Sequence, residues 1–369
     1  MTKARLTNVD GLRGVAAMAV VIGHWAEQIA HRTPNEALGN TLKALFAVDF
    51  SSGRFGIVAF FCISGFVIPF SFRHDAAIPG RVRPLAGFIV SRFFRLYPAY
   101  WVSLILAVLI FPLLNAPPLT VHQVAANATM LQQLLHQKDV LGVYWTLFIE
   151  LVFYGLCFLA FAAGQLHNAK YNFVMMTIFL VIALAGGVYR WVHPANDFPV
   201  GFPTYLAAMH FGTLARLYLL ERNQDAGRYY KPAIVVLCVA VVAANTLAYY
   251  HATNELVGWL ASNTSYLAGI AIFLLCIHRK WFGGPRLAWL GLISYSIYLI
   301  HPLFLQAAVW AWPFMDWRVA VLVITPIYIG GSIAVAVLSQ RFIEAPSVRA
   351  GRVVDRALDR LMKPKTIAV

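Results

Sequence analysis

Charge is scarce in this chain. Only 12% of its 369 residues are Asp, Glu, Lys or Arg, about half the share that soluble domains carry. Acids are scarcer still, 15 against 29 basic residues, which leaves a net charge of +14. Too little charge is present to solvate the surface of a water-soluble body of this size. Cysteine is also sparse: Cys62, Cys157, Cys238 and Cys276 stand far apart in apolar segments without a C-x-x-C pair. Neither a disulfide framework nor a cysteine metal site is expected, and no metal is assigned. The chain has no internal repeat and no low-complexity linker. A small-residue cleavage site after the first apolar run is missing too, so no cleavable leader is expected. The basic residues are dispersed rather than gathered on one face, which argues against a nucleic-acid partner.

Apolar residues are abundant, at 60% with a mean hydropathy of +0.69. The apolar runs recur along the whole length. At about 20 residues per bilayer crossing, they predict ten helices, over 12–31, 54–72, 96–115, 143–163, 171–190, 199–219, 232–250, 256–278, 287–311 and 319–341. The expected fold is therefore all-α, a polytopic integral membrane helix bundle partnered by the lipid bilayer. With the N-terminus inside, only Arg32, Lys43, Arg54, Lys138, Arg190 and Arg318 of the 29 lysines and arginines fall on the outer side. That asymmetry predicts both termini in the cytoplasm. Residues 1–345 form one membrane domain in this reading. Residues 346–369 form a basic tail whose Arg349, Arg352, Arg356 and Arg360 recur at helical spacing, as in an amphipathic helix on the inner leaflet.

The first predicted span, DGLRGVAAMAVVIGHW, carries Arg13 and His24. About three helical turns separate them, so they return to one face, ~16 Å apart along the axis. Arg13 then waits at the inner surface while His24 lies near mid-bilayer. Ionisable groups inside a span are functional candidates. Glu150 in YWTLFIELVFYG, His301 in ISYSIYLIHPLF and His210 in the sixth span are further ones. A lone carboxylate in hydrocarbon is costly and needs a partner. Counting inward from both surfaces of a ~30 Å core brings Glu150 and His24 to within about one turn in depth. A Glu150–His24 contact is expected, direct or through one water or substrate hydroxyl, with Glu27 as a second partner for the imidazole. A carboxylate-oriented histidine suits general-base or nucleophilic chemistry. Structural readings stand beside these. His301 precedes Pro302 and can satisfy backbone groups that the proline frees, and His210 reads as a core histidine.

Arg92 and Arg95 in SRFFRLYPAYW share a helix face before the third span, with Arg73, Arg81 and Arg83 upstream. Arginine forks suit phosphates, although positive-inside topology explains arginines here equally well.

Six stretches carry a family resemblance: NVDGLRGVAAMAVVIGHW (8–25), AFFCISGFVIPF (59–70), SRFFRLYPAYW (91–101), YWTLFIELVFYG (144–155), LISYSIYLIHPLF (292–304) and RFIEAPSVR (341–349). In order and extent the chain resembles the acyltransferase type 3 superfamily of integral membrane O-acyltransferases, in its stand-alone form without an esterase-like domain. In the fourth stretch it departs from the family, with Thr146 where serine is usual and Leu151 where an acidic or polar residue is usual.

The resemblance implies transfer of an acyl group, most often acetyl from acetyl-CoA, to a hydroxyl of a carbohydrate or glycolipid acceptor, in a bacterial inner membrane. It implies His24 and Glu150 as catalytic residues. Arg13, Arg92 and Arg95 would bind the acyl-CoA, and Asp10, Ser64, Trp145 and His301 would support them. The alternative is a secondary transporter for a sugar or glycolipid with a buried His/Glu relay. The missing repeat between the halves and the arginines beside the histidine-bearing span weigh against it.

Overall fold

A computed structural model of the chain describes residues 3–72, 80–251, 258–279 and 281–362. Arg73 and the tail residues 363–369 of the sequence reading lie outside these. The described residues fold as helices without strands. In chain order they are α1 (Lys3–Arg32), α2 (Glu36–Lys43), α3 (Ser52–Val67), α4 (Val82–Ile110), α5 (Val121–Ala128), α6 (Tyr144–Ala162) and α7 (Ala169–Val192). There follow α8 (Gly201–Leu219), α9 (Ala226–Tyr249), α10 (Trp259–His278), α11 (Pro285–Leu292), α12 (Ser294–Ala311), α13 (Trp317–Ser339) and α14 (Ala345–Met362). Short polar residues start several of them. The side chain of Ser51 accepts from Arg54 N ahead of α3, and Asn168 accepts from Tyr171 N ahead of α7, each supplying a helix-initial N–H with an acceptor.

Each predicted span corresponds to one long helix: α1, α3, α4, α6, α7, α8, α9, α10, α12 and α13. Eight of these are long and apolar enough to cross a membrane, and the chain is a polytopic helical membrane protein. The two outside that set, α1 and α8, explain themselves by position. α8 is packed among α3, α7 and α9 and is buried along nearly its whole length. α1 lies against α3, α11 and α12. A helix wrapped by other helices can hold Arg13, His24 or His210 because protein, not lipid, solvates it.

Two differences from the sequence reading shape the site. The third span starts early: α4 begins at Val82, so Arg83 stands on the same continuous helix as Arg92 and Arg95 rather than in a loop ahead of it. The ninth span is broken. α11 ends at Leu292, and Ile293 leaves helical geometry at φ −95° and ψ 0° before α12 begins. The cause is a close approach. A Cβ on Gly291 would strike the Asp10 carbonyl, and one on Gly14 would meet Leu290 and Gly291 backbone at 2.8–2.9 Å. Glycine at both positions lets α1 and α11 touch along their backbones, as small residues do between membrane helices. The Ser294 hydroxyl then donates to the Gly291 carbonyl across the break (2.8 Å).

Candidate active site

One end of the bundle encloses a cavity of about 270 Å³ bounded by α1, α3, α4, α6, α12 and α14. Its wall is basic, with Arg13, Arg83, Arg92, Arg95 and Arg352, and the acids that face it are Glu150 and Asp355. A second cavity of about 60 Å³ lies against the first and shares Arg13, Ser64, Glu150 and Tyr295 with it. The rest of its wall is mostly apolar, including Ile57, Phe60, Phe61 and Leu147, and ends at Thr146 and Tyr298.

Each shared residue owes its place to a local feature. Arg13 is one residue from the Gly14 contact that presses α1 onto α11. Ser64 is next to Gly65, whose hydrogen side is filled by the Met209 backbone of α8. Glu150 accepts a hydrogen bond from the Tyr154 hydroxyl one turn on (2.6 Å). Tyr295 follows the break between α11 and α12, and its hydroxyl donates to the Leu96 carbonyl of α4 (2.8 Å). Around the Arg13 guanidinium, Glu150 and Asp10 attract and Arg95 repels. Its Nε is buried without a hydrogen-bond partner, as is that of Arg92. The Arg92 guanidinium lies over the rings of Phe88 and Tyr154, 5.7 and 5.6 Å from their centroids.

Beyond Tyr298 lies a pair of histidines. The Tyr298 and His301 rings are 5.9 Å apart. His24 Nδ1 and His301 Nε2 are 3.1 Å apart, with the rings stacked at 23°. His301 Nδ1 is 3.1 Å from the Ile297 carbonyl. A carbonyl only accepts, so His301 carries its proton on Nδ1 and accepts on Nε2. His24 must then donate from Nδ1, which leaves a lone pair on His24 Nε2 when both rings are neutral. His301 thus bonds a main-chain carbonyl of its own helix with one ring nitrogen and His24 with the other.

A direct Glu150–His24 hydrogen bond is absent: among the described residues, the hydrogen bond of Glu150 is with Tyr154 and that of His24 with His301. Counting depth along two helices fixes a level in the bilayer and says nothing about azimuth. Glu27 is likewise not hydrogen-bonded to His24; the charge acting on it is that of Arg54. His24 lines neither cavity. Asp10 is exposed at the inner end of α1, within the field of Arg13 and Arg95. Trp145 stands away from the cavities, 5.7 Å from the Tyr205 ring. Arg95 reaches the cavity and forms an ion pair with the buried Glu344 at 2.5 Å. His210 is a core histidine, bonded through Nδ1 to Asn172 Oδ1 (3.1 Å) and set among Phe153, Tyr171 and Phe179.

Several site residues escaped the sequence reading. Tyr295 and Tyr298 precede His301 at steps of three, a polar stripe on an apolar helix that spacing alone exposes. Tyr154 stands four after Glu150 by the same logic. Glu344, an acid inside an apolar-to-basic transition, signalled a buried pair. The third wall of the cavity had no such signal. A π-helical turn over Gln340–Glu344 carries α13 into α14, which folds back on α4. There Arg83 pairs with Asp355 (2.7 Å) and Asp359 (2.6 Å), and the Ser347 hydroxyl donates to the Phe94 carbonyl (2.7 Å).

Comparison with known proteins adds two findings. A family model described as "Acyltransferase domain" matches residues 6–341. Nodulation protein 10 of Rhizobium leguminosarum bv. viciae is 25% identical over 369 residues, covering 93% of each chain. No solved structure matches.

Proposed function

The chain belongs to the acyltransferase 3 family, and we propose that it is the O-acetyltransferase form. In this reading it takes acetyl from acetyl-CoA on the cytoplasmic side of a bacterial inner membrane and passes it to a hydroxyl of a carbohydrate or glycolipid. Family membership decides between the two sequence readings in favour of an acyltransferase and against a carrier. The observation that carries the finer reading is the pair of adjoining cavities. The larger, arginine-walled one suits the phosphates and polar arm of the donor. The smaller, apolar one is well below the ~150 Å³ of a cavity that holds benzene, a size that suits a two-carbon acyl group.

The residues divide the chemistry among them. Arg13, Arg92 and Arg95 hold the donor through charge-assisted hydrogen bonds. His24 Nε2, which lies beyond Tyr298 at the end of the smaller cavity and not in its wall, takes the proton of an acceptor hydroxyl that enters from that side, and the oxygen attacks the thioester carbonyl. As the C–S bond breaks, the proton passes from the imidazolium to the leaving thiolate. His301 is a positioning residue that holds the His24 tautomer. Glu150 acts through Arg13 and Tyr154, balancing the guanidinium at the junction of the cavities. A thioester is already activated, so the scheme uses no metal.

Mass spectrometry of cell-surface glycans with and without the gene product tests the proposal. An acetyl increment on a carbohydrate that depends on the protein is the expected result. An unchanged glycan profile, together with failure of the purified protein to consume acetyl-CoA, would overturn it.

A further inference from the structure

A third hollow, of about 560 Å³, lies where the end of α13, the start of α14 and α4 meet. Arg95, Arg341, Arg349 and Arg352 line it, and its single acid is Glu344. Glu344 is buried and already paired with Arg95. Arg341 lies over the ring of Phe342. Among the described residues, the guanidinium groups of Arg349 and Arg352 have no acidic partner. They stand three apart, on one face of α14. Guanidinium groups gathered in this way repel one another until an anion joins them, and their forks match phosphate oxygens two at a time.

The hollow adjoins the donor cavity: Arg95, Val348 and Arg352 line both. The helix that carries Arg349 and Arg352 is held in place: Arg83 grips Asp355 and Asp359, and Ser347 is bonded to Phe94, so α14 is fixed against α4 while the two arginines remain exposed beside that contact. Arg356 and Arg360 of the same helix line neither space.

We propose that this groove is a phosphate-ester site formed by Arg349 and Arg352, and that its occupant is the phosphorylated nucleotide end of coenzyme A. The inference rests on the donor assignment above and extends it. The acyl end then points to the smallest cavity, the arm crosses the middle one, and the nucleotide phosphates stay at the cytoplasmic surface. The other source of the same chemistry is an anionic lipid headgroup.

The test uses the full-length protein in nanodiscs, with coenzyme A as the probe and calorimetry as the readout. In phosphatidylcholine discs, the double variant Arg349→Gln/Arg352→Gln should bind coenzyme A about tenfold more weakly, with a shallower salt dependence than the unaltered protein. Arg349→Lys/Arg352→Lys should retain part of the affinity. Arg356→Gln/Arg360→Gln, on the same helix, should stay within about twofold. Equal weakening by the two glutamine pairs would assign the effect to general surface charge and overturn the site. Unchanged coenzyme A binding by Arg349→Gln/Arg352→Gln, with lost enrichment of phosphatidylglycerol in mixed-lipid discs, would assign the groove to lipid and overturn the donor assignment. If the unaltered protein binds no coenzyme A in either lipid, the donor reading itself fails, and the groove assignment fails with it.

Discussion

His301 bonds a main-chain carbonyl through one nitrogen, so its other nitrogen can only accept, and His24 is left with a lone pair on Nε2. The neutral imidazole of His301 thus fixes the tautomer and the ring direction of His24, as a carboxylate partner can. Substitution separates the two roles. His24→Ala should lower transfer by about 10²–10⁴ and leave coenzyme A binding intact, as measured by single-turnover assay beside calorimetry. His301→Ala should lower turnover while keeping the donor KM. His301→Gln should recover part of it, because an amide oxygen can still accept the His24 proton. Equal losses in the two His301 variants would make the residue structural. Glu150→Gln should remove most turnover, since it takes from Arg13 the acid that acts on it most strongly, at the cavity junction. The reacting types were readable here because ionisable residues in an apolar span stand out. Their partners were not, because two residues at one depth can face opposite sides of their helices.

Among the elements, α14 has the most to do with the site. It supplies Val348, Gly351, Arg352 and Asp355 to the cavity wall, and Arg83 is its main fastening. Arg83 is 5% exposed and Asp355 16%, so removing the guanidinium breaks a close ion pair in a poorly hydrated place. Arg83→Ala should loosen α14 at a cost of about 3 kcal/mol, the low end for breaking a buried pair. Limited proteolysis should then cut within 345–362 under conditions where the unaltered helix survives; an unchanged digestion pattern would contradict the fastening. The centre of the bundle depends on close approach instead. A Cβ on Gly212 of α8 would strike the Cys62 carbonyl of α3, so Gly212→Val should lower the thermal midpoint in detergent by forcing these helices apart. The ten long helices, and the approximate ends of most of them, were legible in the sequence because bilayer thickness sets the length of a span. The break at Ile293 and the return of α14 onto α4 were not. Both come from contacts between segments hundreds of residues apart, Asp10 with Gly291 and Arg83 with Asp355.

On the scale of the whole molecule, the lopsided placement of lysine and arginine predicts that the arginine-walled cavity and both chain ends face the cytoplasm. Single cysteines in a cysteine-free background check this. A cysteine at Ala350 should react with a membrane-impermeant maleimide only in inside-out vesicles, and one at Gln133 only in right-side-out vesicles. The reverse pattern would invert the topology and put the donor cavity on the wrong face. Orientation and chemistry meet in a single claim, that acyl transfer starts from a cytoplasmic thioester and runs through His24. Radiolabelled acetyl-CoA supplied to inside-out vesicles measures it directly. Vesicles with the unaltered protein should move label into carbohydrate-containing material, and vesicles with His24→Ala should bind the donor and move almost none. Transfer by His24→Ala at the rate of the unaltered protein, or equal transfer when intact right-side-out vesicles receive the donor from outside, would contradict it.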